Sequence, residues 1–131
     1  MPVLTALLLS AATVQSPAAL IVYREYAEPI LFAPTLLIDG VVAGKLGQKR
    51  SLALAVPAGD HQLELRWPML ASQKRARLRL RLEPGTQRFV EVKALAGFAG
   101  GSALIEQDSD TGAQAAARCR PATEGPNKSL E

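Results

Sequence analysis

An all-β fold, a single small antiparallel β-sandwich of about seven strands, is predicted by three features of this chain of 131 residues. Apolar and polar residues alternate with period 2 in several short runs, most regularly where Arg75, Arg77, Arg79 and Arg81 interleave with Ala76, Leu78, Leu80 and Leu82. Turn chemistry punctuates the runs at Asp39-Gly40, at Pro57 to Asp60 and at Pro84 to Thr86. A hydrophobic fraction of 48% against 21% charged residues suits one domain able to bury a core.

Taken in order, residues 1–18 (MPVLTALLLSAATVQSPA) form an apolar run from Val3 to Val14 followed by small residues, the layout of a secretory signal peptide too short to span a bilayer. Cleavage after Ala12 and cleavage after Ala18 both fit. Residues 19–118 are assigned to the sandwich and 119–131 to a disordered tail, because the last segment is polar, carries prolines and lacks an apolar pattern. Within the domain, Leu20 to Tyr26 is apolar in both phases and predicts a strand buried on both faces. Thr35 to Ile38 and Val41 to Leu46 flank Asp39-Gly40 as a hairpin.

The next two hairpins are predicted from pairing logic. Around Pro57 to Asp60, setting Val56 opposite His61 brings Leu54 against Leu63 and Leu52 against Leu65. Around Pro84-Gly85-Thr86, the register that keeps one face dry opposes Leu80 to Val90 and Leu78 to Val92, which sets Arg79 against Glu91, Arg81 against Phe89 and Arg77 against Lys93. Ala103 to Gln107 reads as a last strand before a turn at Asp108 to Gly112. Ala113 to Arg118 fits either a short C-terminal helix, which its alanines favour, or a returning strand.

The net charge of +3 is modest, but its distribution is uneven. Arg66 to Lys93 holds eight bases against two acids, a local +6, which leaves the rest of the chain net acidic. Arg75, Arg77, Arg79 and Arg81 are therefore the candidate anion-binding residues, with guanidinium groups about 7 Å apart along one strand face. The same pattern also serves solubility, since charged side chains on an exposed strand oppose aggregation. A secretory route and the scarcity of aromatic residues beside the arginines argue against nucleic acid.

No catalytic constellation is present in the pattern. His61 is the sole histidine and falls near a strand start, where a structural role is expected. Serine-elbow, phosphate-loop, dinucleotide-glycine and zinc-ligand spacings are missing, so neither an enzyme nor a cofactor is expected. Glu106, Asp108 and Asp110 have a spacing faintly like a calcium loop, but Gly112 comes one residue late and Ala117 stands where a bidentate glutamate is required. Cys119, the single cysteine, forms no intramolecular disulfide and is expected as an incidental thiol in the tail.

The stretches APTLLIDGVVAGKL (Ala33 to Leu46), VPAGDHQLEL (Val56 to Leu65) and LEPGTQRFVEV (Leu82 to Val92) resemble the PEGA-related domains of small bacterial envelope proteins, an uncharacterised domain-of-unknown-function family. The resemblance runs from Leu20 to about Gly112 and rests on turn motifs. It implies a small β-sandwich, no known catalysis and frequent lipidation, although this chain lacks a cysteine placed to carry a lipid. The expectation is a non-enzymatic periplasmic or secreted module that contacts another envelope protein or a cell-wall component. Binding of an anionic lipid or polysaccharide through the arginine face is the alternative.

Overall fold

The computed structural model describes residues 15–25, 32–68, 75–94 and 102–122. Nine strands and one helix follow along these residues: β1 (Ala18–Arg24), β2 (Thr35–Ile38), β3 (Val41–Lys45), β4 (Arg50–Val56), β5 (Gly59–Arg66), β6 (Ala76–Leu82), β7 (Gln87–Ala94), β8 (Ser102–Gln107), α1 (Ser109–Ala117) and β9 (Arg120–Pro121). They form two sheets, ordered β8-β7-β1-β4-β9 and β3-β2-β5-β6, whose inner faces enclose one core. The fold is a small all-β sandwich with a C-terminal helix. It is not wholly antiparallel, because β1 runs parallel to β7 and β4 parallel to β9.

Alternation selects the inner faces as expected. Leu20, Val22, Leu52, Leu63, Leu65, Leu80, Leu82, Val90 and Val92 are buried, Ile38, Leu54, Trp67 and Leu78 pack half-buried against them, and the β6 arginines point outward. Asp39-Gly40 forms the β2–β3 hairpin, with φ of 52° and 83° at its two central residues, the doubly left-handed turn that suits strand twist.

The other two hairpins do not form. Their strands part into different sheets: β4 pairs with β1, placing Leu52 opposite Val22 and Leu54 opposite Leu20, while β5 lies between β2 and β6. Likewise β6 pairs with β5 and β7 with β1 and β8, so Leu80 faces His61 and Val90 faces Val22 and Glu106. The Arg79–Glu91 pair is absent. Arg79 stands opposite Gln62, and Glu91 accepts a hydrogen bond of 2.9 Å from the Gln107 amide in the other sheet. The physical reason lies in the pattern itself: two alternating strands bring their apolar faces together either side by side in one sheet or across the core. Period 2 selects a face and leaves the partner open.

β1 decides between the two solutions. Apolar on both sides, it needs neighbours at both edges and cover on both faces, and it occupies the middle of the five-stranded sheet. Its inner face meets the core. Its outer face, with Ile21 and Tyr23, joins Phe89 and Ala115 in a second apolar cluster under α1. Burial pushes the Tyr23 phenol up to about 12, with Glu91 and Glu25 adding to the shift.

The helix resolves the open alternative at Ala113 to Arg118. Asp108 caps it, its Oδ1 accepting from the Thr111 N–H at 2.8 Å. It seats through Gly112, where an added Cβ would overlap the Phe89 side chain.

Ordered elements extend across both expected domain boundaries. Ala18, placed at the end of the leader, is the first residue of β1, 1% exposed and paired with Val56. Beyond α1, Arg120–Pro121 adds to the edge of β4 instead of belonging to a disordered tail, with the Arg120 N–H donating to the Lys49 carbonyl at 2.8 Å and the Ala122 N–H to that of Ser51 at 2.7 Å. An edge strand needs backbone donors more than apolar side chains, so a segment without an apolar pattern can still pair there. The rest of the expected leader, residues 1–14, and of the expected tail, residues 123–131, lie outside the described residues.

Candidate functional site

The arginine strand lies at an edge of the four-stranded sheet, which exposes its outer face to solvent. Pairing with β5 sets Arg81 opposite Asp60, Arg79 opposite Gln62 and Arg77 opposite Glu64. The four candidate residues therefore differ in what they already hold. Arg81 lies 3.2 Å from Asp60 and 3.5 Å from Glu83. Arg75 lies 3.7 Å from Glu64, which also accepts a hydrogen bond of 3.1 Å from the Arg66 guanidinium. That hydrogen bond, together with the field of Arg66, Arg77 and Arg75, holds the Glu64 carboxyl below the usual carboxylate range. Among the described residues no carboxylate lies within ion-pair distance of Arg77 or Arg79.

Arg77 and Arg79 thus form the open part of the cationic face. Two residues apart on a strand, their side chains leave the same side about 7 Å from one another. Each offers a planar set of donors to a phosphate or carboxylate. Beside them a shallow cleft of about 430 Å³ is lined by Arg79, Gln62, Asp60, His61, Asp39 and Leu80. Gln62 and Arg66 are parts of this face that sequence reasoning left out, because their place beside the arginines depends on the β5–β6 pairing.

His61 anchors the end of the cleft. Its Nδ1 lies 2.5 Å from Asp39 Oδ2 and its Nε2 2.6 Å from the Pro57 carbonyl oxygen. A carbonyl and a carboxylate both only accept, so the doubly protonated ring is the form that satisfies both contacts. The hydrogen bond to Asp39 is the largest cause raising the His61 pKa above its ordinary value, and the same bond, with one from the Gln62 N–H at 2.9 Å, lowers that of Asp39. The arrangement ties the β2–β3 turn to the crossing at Pro57. The structural role expected for His61 has this concrete form.

A pH dependence follows. Because the folded-state pKa of His61 is raised, its stabilisation is complete below the unfolded value near 6.5 and is lost as pH rises through the folded value. Asp39 acts in the opposite sense: its contribution is present above 3.8 and lost as pH falls through its lowered folded value. Urea denaturation should show wild type losing about 1 kcal/mol from pH 6 to pH 9, a figure discounted because the Asp39 side chain is 49% exposed. His61→Gln should flatten that slope. An unchanged slope in the variant would mean that another group titrates.

The remaining chemical candidates are occupied separately. Glu106 pairs with Arg88, whose guanidinium also donates to the Arg81 carbonyl at 2.9 Å, while Asp108 caps α1. Among the described residues no group of three histidine, cysteine or acidic side chains is placed to hold a metal. Cys119 is not in a loose tail: it follows α1, half-buried against the second apolar cluster, with Sγ 3.5 Å from the Ala115 carbonyl. Burial pushes its thiol pKa up, which disfavours the reactive thiolate. No protein-family model, characterised protein or solved structure matches the chain.

Proposed function

We propose that this chain is a non-enzymatic module of the bacterial envelope, periplasmic or secreted and PEGA-like, that acts by binding. In this reading it recognises clustered anionic groups of a cell-wall or lipid surface through the outer face of the β3-β2-β5-β6 sheet. One observation carries the choice of surface: Arg77 and Arg79 stand exposed and side by side without an ion-pair partner among the described residues, while Arg81 is held by Asp60 and Glu83. Binding in place of catalysis is supported by the state of the two groups best suited to chemistry. Both ring nitrogens of His61 are engaged, and the Cys119 thiol is held away from its thiolate. The envelope assignment draws on the N-terminal apolar run and on the turn motifs at Asp39-Gly40, Pro57 to His61 and Pro84-Gly85.

Co-sedimentation tests this directly. At low salt the protein should be retained on phosphatidylglycerol vesicles or on isolated anionic cell-wall polymer, whichever carries the native ligand, and should be released by high salt. Neutral phosphatidylcholine vesicles are the control. Arg77→Gln with Arg79→Gln should abolish retention without a measurable change in melting temperature, whereas Arg81→Gln should retain most of it. Retention that survives high salt and the double variant would refute the arginine face as the contact. The reading would then move to the seam between β3 and β4, where Val41 and Val42 are 70% and 40% exposed beside Leu54 and Val56.

A further inference from the structure

We propose that the anionic surface is a lipid bilayer and that β3 dips into it, Val41 and Val42 passing between headgroups whose phosphates Lys45 and Arg66 hold. This rests on the binding reading above and chooses lipid over polymer. Of the large apolar side chains exposed among the described residues, Val41 at 70% and Val42 at 40% are neighbours on β3, an edge strand of the four-stranded sheet. Val42 stands opposite Leu37, and Leu36 belongs to the core, so Leu37 and Val42 fall in the outward phase. Thr35, in the same phase, pairs with Lys45 on one side and with Arg66 on the other. A shallow cleft of about 290 Å³ joins Leu37, Val42 and Pro68 to Thr35, Lys45 and Arg66.

Apolar floor and basic rim therefore belong to one surface. Glu64 stands between Leu37 and Arg77 in the strand order, so this is the face that also carries Arg77 and Arg79. Both rim bases have donors to spare: among the described residues Lys45 makes no ion pair, and Arg66 donates through Nε alone, to Glu64 at 3.1 Å. The acid of the adjoining turn, Asp39, is already met by His61 and by the Gln62 N–H. A polysaccharide or polyol-phosphate chain is polar along its length and gains nothing from two exposed valines. An anionic bilayer presents phosphates with hydrocarbon directly beneath, the order in which this face offers its bases and its valines. A second copy of the chain fits β3 less well, because the strand carries an extra residue against β2, its register shifting between Leu36 and Leu37. Such an irregularity spoils an edge as a template for another strand.

The test places isotope-labelled full chain on nanodiscs of phosphatidylglycerol and phosphatidylcholine that contain a lipid doxyl-labelled at the headgroup end of its acyl chain. The Val41 and Val42 amides should broaden more than those of β6. Val41→Ser with Val42→Ser should weaken binding to phosphatidylglycerol vesicles about tenfold at constant salt and leave binding to isolated anionic cell-wall polymer unchanged. Equal vesicle affinity of wild type and the double variant, or broadening confined to β6, would overturn insertion while the arginine face stands. A dimer that forms without lipid and is lost in the double variant would also overturn it, giving the edge to a second copy. Wild type that is retained on neither surface at low salt is the separate failure of the arginine reading, and it refutes insertion as well.

Discussion

Arg24→Met is expected to lower the unfolding free energy by about 3 kcal/mol, equivalent to a fall in Tm of about 10 °C. Arg24 ends β1 in the inner phase, so a strand that begins with Ala18, Leu20 and Val22 carries a fully buried guanidinium into the end of the core. One of its terminal nitrogens donates to the Phe32 carbonyl at 2.7 Å and to the Leu46 carbonyl at 2.8 Å, and its Cζ lies 5.1 Å from the centre of the Trp67 ring. Methionine preserves much of the volume and removes every donor. The buried Leu46 carbonyl left without a donor costs about 1–3 kcal/mol, the part-buried Phe32 carbonyl costs less, and the lost cation–π contact adds about 1 kcal/mol. The relief of not desolvating a charge works in the opposite direction and keeps the net below the sum. Arg24→Lys should fall between, because one ammonium keeps the charge but cannot reproduce the planar fork. Urea titration checks the order through the midpoints at unchanged slope. Equal stability of wild type and Arg24→Met would show that the guanidinium gives the fold no net support.

Gly112→Ala is expected to destabilise by about 1–3 kcal/mol, against the trend for a helix interior, where alanine gains about 1 kcal/mol over glycine. The added methyl has no room: it overlaps Phe89 Cβ and Cγ, and Phe89 belongs to β7, adjacent to the central strand. Atoms so close to a sheet backbone cannot swing aside, so α1 must lift and expose Ile21, Tyr23 and Phe89. Gln114→Ala on the exposed side of the same helix is the control and should stay within about 0.5 kcal/mol of wild type. Thermal unfolding of the two variants separates collision from propensity. A Gly112→Ala protein that melts above wild type would mean that α1 does not sit on Phe89.

Residue type and spacing alone determined the fold class and, β9 apart, the positions and faces of the strands. The leucines of β4, β5 and β6 lie inward and the arginines outward because water excludes one phase of an alternating strand whatever its neighbour is. The Asp39-Gly40 turn was equally legible, since few residues tolerate two successive positive φ angles. Local chemistry also marked Arg75, Arg77, Arg79 and Arg81 as a cationic row, but not which of them are open. That depends on β5 and β6 being neighbours, which puts Asp60 beside Arg81 and leaves only Gln62 beside Arg79. The pairing of His61 with Asp39 across 22 positions is of the same kind. Tertiary structure decided these partners, together with the division of β4 from β5 and of β6 from β7. The reason is that an alternating strand carries a direction for its side chains but no address for its edges. The address came from β1, which is apolar on both sides and stable only at the centre of a sheet, between β4 and β7 and covered by α1.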